Sequence, residues 1–189
     1  MTKSSRILTA FFSYALAVSA TALLRHYFPK YSLPFSAVLL IFLAVVFFKG
    51  RPGLNFSLKG ILLGFGASAF FLIPYVFIAG DFNIKSLSPT FFLYQMFYVA
   101  IPEELFFRGY LQRTAEEVFK SPTLSVILVS LLFALAHLLA GRGIYSLLTF
   151  FPSLVMGTLF AITRSVVPGI MFHFFANVAE AAYRPLFQF

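Results

Sequence analysis

The sequence predicts an all-α protein, a polytopic transmembrane helical bundle of about seven spans (six to eight). Three observations carry this. The chain of 189 residues is 60% hydrophobic and 11% charged, with mean hydropathy +0.92, whereas about a quarter of a soluble domain is charged. The apolar residues gather into stretches close to the roughly 20 residues a helix needs to cross hydrocarbon. Pro, Gly and charge punctuate the breaks, at Pro29-Lys30, Lys49-Gly50-Arg51-Pro52-Gly53, Gly80-Asp81, Ser121-Pro122 and Gly141-Arg142-Gly143. One membrane domain, residues 1–189, accommodates all of it.

The first span, residues 7–24, follows Lys3 and Arg6 and has the outline of a signal peptide, with Val18-Ser19-Ala20 as a passable cleavage sequence. Apolar segments continue through the chain, so a retained first helix is expected. Residues 33–48 are short for a span, which suggests a tilted, extended or partly re-entrant helix. Residues 61–79 hold Gly64, Gly66 and Ala67, small residues that suit close helix packing. The fourth span, 91–111, is interrupted by Pro102. The fifth, 122–140, opens on Pro122, and the last two, 144–162 and 166–183, are separated only by Thr163-Arg164-Ser165. With the N-terminus in the cytoplasm, Lys3, Arg6, Lys49, Arg51, Lys59, Arg113, Lys120 and Arg164 lie inside. Arg25, Lys30, Lys85, Arg142 and Arg184 then lie outside, a balance that favours this orientation.

Composition also excludes. The net charge of +8 is spread between apolar segments and forms no basic stripe, so no nucleic-acid partner is expected. With no cysteine there is no disulfide, thiol catalysis or Cys-ligated metal. Glu116 and Glu117 with Lys120 read as a solvated face, Asp81 as a loop residue, and Glu180 with Arg184 as a local pair.

Three constellations sit in apolar helices, where an acidic residue at the centre costs roughly 2.5 to 3.5 kcal/mol on insertion scales. Two of the chain's six acids are adjacent in Glu103-Glu104-x-x-x-Arg108. Glu104 and Arg108 are four apart and share a helix face, so they can pair; Glu103 is rotated about 100° away and is left free. Pro102 before them kinks or restarts the helix. His137 closes Phe133-Ala134-Leu135-Ala136-His137, and His173 stands four residues before Asn177. Buried polar groups need one another, so a shared interior cluster of Glu103, Glu104, Arg108, His137, His173 and Asn177 is the economical arrangement. A carboxylate beside a neutral imidazole can hold a water and take its proton, while His173 and Asn177 N–H groups can stabilise an oxyanion. That is a complete set for amide hydrolysis without a covalent nucleophile. No Gly-x-Ser-x-Gly and no His-Glu-x-x-His occurs. Counting along the fifth span from Pro122 puts His137 about 22 Å in, nearer the outer face than the other motifs.

Glu-Glu-x-x-x-Arg, Phe-x-x-x-His and His-x-x-x-Asn, in that order on separate helices, resemble the CAAX protease and bacteriocin-processing (Abi) family. Residues 151–157, Phe-Pro-Ser-Leu-Val-Met-Gly, are similar too, and the likeness covers the motif-bearing core at about 91–178. The resemblance implies an all-helical membrane bundle of a bacterial or archaeal membrane and glutamic-type intramembrane endoproteolysis. It implies that Glu103 and His137 activate the water, that His173 and Asn177 form the oxyanion site, and that Glu104 and Arg108 support Glu103 and the peptide. No cofactor is implied. A metal held by Glu103, Glu104, His137 and His173 is the rival chemistry, disfavoured because four protein ligands leave no open position for water. The implied partners are membrane lipids and a peptide or protein substrate: a prenylated C-terminus, a leader peptide or a C-terminal sorting tail. A non-catalytic immunity-like scaffold and a proton-coupled transporter are the alternatives, the latter because intramembrane Glu and His also form proton relays.

Overall fold

The structure is a computed structural model that describes residues 2–47, 53–79 and 87–182. Among these it is all helix, in seven continuous runs. They are α1 (Lys3–Tyr27), α2 (Ser32–Phe47), α3 (Leu58–Ala79), α4 (89–119), α5 (Pro122–Arg142), α6 (Ile144–Thr163) and α7 (Val167–Ala182). Helices α1, α3, α5 and α6 are long and apolar enough to cross a membrane, whereas α2 is a shorter apolar helix. The N-termini are capped by side chains: Thr2 accepts from Ser5 N, Ser88 from Phe91 N and Ser121 from Leu124 N, the last two just before Pro89 and Pro122.

The runs alternate between two ends of the bundle. At one end Arg6 pairs with Glu117 and Arg164 with Glu116. There too the turn after α6 docks on the segment after α2, through Val166 N to Gly53 O at 2.9 Å and Ser165 Oγ to Asn55 O at 2.8 Å. Toward the other end, Arg25 and Tyr94 lie within electrostatic reach of Arg142. The corner between α5 and α6 is made by Gly141 and Gly143, at φ 77° and 80°, a left-handed geometry that only glycine adopts freely.

The core lies between α4 and the helices around it. Leu40, Leu43 and Ala44 of α2, Phe106, Phe107 and Tyr110 of α4, Phe133 of α5, Met156 and Phe160 of α6 and Phe172 of α7 pack into one cluster. The outside is a lipid-type surface of large exposed side chains, among them Phe11, Phe12, Phe42, Phe70, Phe77 and Phe151. Gly64 meets α7 closely: a β-carbon there would lie 3.0 Å from Pro168 Cα, as small-residue packing predicts. A β-carbon on Gly66 would meet nothing within 4 Å, so Gly66 does not share that role. Asp81 and Arg184 lie outside the described residues.

Candidate active site

Helix α4 is longer than hydropathy suggests. It continues past residue 111 to Phe119 because Gln112, Arg113, Glu116 and Glu117, polar in sequence, find polar partners. Gln112 Nε2 donates to Gly157 O at 2.9 Å and to Glu116 Oε1 at 3.3 Å, and both glutamates pair with arginines. The extension resolves the depth of His137. Glu103 stands 16 residues before the end of α4 and His137 15 residues after the start of α5. At about 1.5 Å per residue the two arms of this hairpin bring them to similar depth.

Pro102 does not break α4. Its consequence is a change of pitch: π-helical segments at Gln95–Ala100 and Leu105–Gln112 flank the α-helical turn Ile101–Glu104. Wide π turns of this kind recur at functional sites. Here they have a geometric effect. Four residues of an α-helix overshoot one turn by about 40°, and wider turns lower the rotation per residue. Glu104, Arg108 and Gln112 therefore keep to one stripe, from which Arg108 and Gln112 reach α6 and Glu104 reaches α7.

Along that stripe Arg108 Nη1 donates to Glu104 Oε1 at 2.8 Å, the pair that the spacing predicts. Arg108 Nη2 donates to Ser153 Oγ at 2.8 Å and to Ser153 O at 3.2 Å on α6, and its guanidinium lies 4.8 Å from the centre of the Phe133 ring. Glu104 and Ser153 are 0% exposed and Arg108 1%. Such a charge is tolerable only because its partners are fixed.

Helix α7 brings His173 to the same carboxylate. His173 Nδ1 lies 3.1 Å from Glu104 Oε1, and Nε2 lies 3.7 Å from Glu103 Oε2. A carboxylate oxygen that already accepts from Arg108 has only lone pairs to offer, so Nδ1–H is the donor and Nε2 is turned toward Glu103. One turn earlier, Gly169 lets the backbone of α7 approach: a β-carbon there would sit 2.7 Å from Glu104 Oε2. His137 comes from the side. Its Nδ1 is 3.0 Å from Phe133 O, an acceptor, so Nδ1 carries hydrogen and the neutral ring leaves a lone pair on Nε2. The rings of His137 and His173 both rest on Phe133, at 4.4 and 5.8 Å between centroids, and Glu103 and His173 lie within electrostatic reach of His137.

Glu103, Glu104, Arg108, His137 and His173 are thus brought together. Asn177 lies one turn beyond His173, and its direct partner is elsewhere: Nδ2 donates to Gln95 Oε1 on α4 at 2.9 Å. Glu103 Oε2 and Glu104 Oε2 are buried without a hydrogen-bond partner in the protein. No group of three or more His, Asp or Glu side chains among the described residues is arranged to hold a metal ion. Ser153, Gln112, Gly169 and Gln95 were not singled out from sequence. The signal for Gln112 was present, since residues 104, 108, 112 and 116 repeat every four.

The arrangement offers two carboxylates, each with a buried oxygen that lacks a hydrogen-bond partner, of which only Glu104 is paired with arginine, and two imidazoles on a shared aromatic platform. No curated protein and no solved structure matches the chain. A family profile described as type II CAAX prenyl endopeptidase Rce1-like matches residues 85–179, just over half the chain, and spans every residue of the cluster. Motif order, helical architecture and this match agree, and the chain belongs to the Rce1-like type II CAAX prenyl endopeptidase family.

Proposed function

We propose that the protein is an intramembrane endopeptidase that hydrolyses a peptide bond at or near the membrane through a water activated by Glu103. The carrying observation is the Glu103 carboxylate, with Oε2 buried, unpartnered and 3.7 Å from His173 Nε2, while Glu104 Oε1 is committed to Arg108 and His173. Charge balance supports the assignment. Glu103, Glu104 and Arg108 sum to one negative charge, costly in hydrocarbon, and one proton shared between Glu103 and His173 cancels it.

With that proton on His173, Nε2–H is a donor and Glu103 is a base. Water, oriented by Glu103 and by the lone pair of His137 Nε2, gives its proton to Glu103 as its oxygen attacks the peptide carbonyl carbon. Negative charge develops on the carbonyl oxygen, where His173 Nε2–H and the second Asn177 Nδ2–H donate. Glu103 then passes the proton to the amine nitrogen as the C–N bond breaks, the second hydrogen of the water stays on the new carboxylic acid, and acid and amine products leave. Arg108 and Glu104 hold His173 in the required orientation.

The same reading gives α2, α4 and α7 the role of further spans, making seven crossings. The end that holds Arg6, Arg113, Lys120 and Arg164 faces the cytoplasm. The family description favours a prenylated C-terminal peptide as substrate, with a leader peptide or sorting tail as alternatives. The test uses the full chain in nanodiscs with an internally quenched peptide ending in a farnesylated CAAX sequence. Glu103→Ala is expected to remain folded and to lose cleavage by at least about 100-fold, the lower range for general acid–base catalysis. Wild-type turnover by that variant would refute the mechanism.

A further inference from the structure

The Asn177–Gln95 contact has a chemical consequence. A carboxamide has two ends of similar shape and opposite polarity, and half a turn about its last bond exchanges NH2 for oxygen. An Asn177 that presents Oδ1 to the reacting carbonyl would repel the oxyanion it is meant to stabilise. Something must hold the NH2 end in place. Gln95 Oε1 accepts one Asn177 Nδ2 hydrogen at 2.9 Å. The second hydrogen on the same nitrogen is then free, with its direction set by the first.

Gln95 is well placed to do this. It opens the π-helical segment Gln95–Ala100, two turns ahead of Glu103 on the same helix, so one rigid element carries the base and the partner of Asn177. Both residues are half-buried, where water competes less than at an open surface and the amide–amide bond is stronger for it.

We infer that Gln95 is a positioning residue that fixes the Asn177 side-chain amide with its NH2 group toward the reacting carbonyl. The inference rests on the proposed oxyanion role of Asn177. A bond serving only to join α4 and α7 would act on stability instead.

The experiment is a double-mutant cycle on the full chain in nanodiscs, read with the same farnesylated CAAX peptide. Gln95→Met keeps length and volume but removes the acceptor; Gln95→Glu keeps an acceptor. Gln95→Met is expected to lower kcat about 10-fold, the effect of losing one hydrogen bond of about 1.4 kcal/mol in the transition state. KM should stay within about two-fold and the unfolding temperature near wild type. Gln95→Glu should recover most of kcat, and adding Gln95→Met to Asn177→Ala should cost nothing more. An unchanged kcat in Gln95→Met beside a crippled Asn177→Ala overturns the positioning role alone. So does a fall in unfolding temperature that accounts for the whole loss, or independent multiplication of the two effects. Full activity in Asn177→Ala, or no cleavage by the wild type, overturns the oxyanion reading and the inference with it.

Discussion

Gly169 and Glu104 meet without space for a single methyl group: a β-carbon on residue 169 would lie 2.7 Å from Glu104 Oε2, well inside van der Waals contact. Glu104 cannot yield easily. Its other oxygen is held by Arg108 at 2.8 Å and by His173 at 3.1 Å, and the residue is fully buried. Gly169→Ala should therefore move α7 or rotate the carboxylate. Overpacking of this kind costs about 1–3 kcal/mol, and His173 shifts with either response. Expected results are a lowered unfolding temperature and at least about ten-fold slower cleavage. A variant with wild-type rate and stability would mean that the approach is not constrained.

Ser153 is the only side chain from α6 seen to bond Arg108, through Oγ at 2.8 Å. In Ser153→Ala the backbone carbonyl at 3.2 Å remains as an acceptor for Nη2, so the loss is partial. An unmade hydrogen bond to a buried charged group costs about 1–3 kcal/mol. The unfolding free energy should fall toward the lower part of that range, with reduced cleavage. Ser153→Ala indistinguishable from wild type in both measurements would show that Arg108 does not depend on α6.

Arg108→Lys tests whether shape or charge matters. The guanidinium reaches Glu104 with one nitrogen and Ser153 with the other while lying against Phe133. An ammonium is a point donor with no planar fork, so lysine cannot keep all three contacts. Activity should fall well below wild type although charge is conserved. Arg108→Leu should be worse in stability, by about 3–5 kcal/mol, because Glu104 would be left as an uncompensated buried charge. Equal behaviour of the Lys variant and wild type would reduce the role of Arg108 to charge alone.

Much of this was legible in the chain because the cost of placing polar groups in hydrocarbon makes them conspicuous. Glu104–Arg108 follows from four-residue spacing alone, and His173 joins them because a lone imidazole and a lone carboxylate in apolar helices need partners. The C-terminal end of α4 was not legible. Hydropathy stops at residue 111, whereas the helix runs to Phe119 on pairings with Arg6, Arg164 and Gly157, which are far away in sequence. The depth of His137 depended on that boundary. Pro102 announced a disturbance but not its form, a π segment on each side of one α-helical turn. Ser153 and Gly169 carry no local signal of their importance, since each matters only through an atom on α4.

The remaining prediction concerns metal. A catalytic zinc needs about three protein ligands and an open position. Glu104 Oε1 already accepts from Arg108 and His173, and His137 Nδ1 is turned to Phe133 O. That leaves Glu103 and two Nε2 atoms, enough by number, but no trio among the described residues is arranged to hold one ion. Dialysis against a strong chelator should therefore leave cleavage of the farnesylated peptide unchanged, and added zinc should not raise it. Loss of activity on chelation with recovery on adding zinc would replace the Glu103-activated water with metal-activated water. Glu103→Gln adds a second check on the metal-free route. It keeps the shape of the side chain but removes the base, so the metal-free route stops in the presence or absence of chelator.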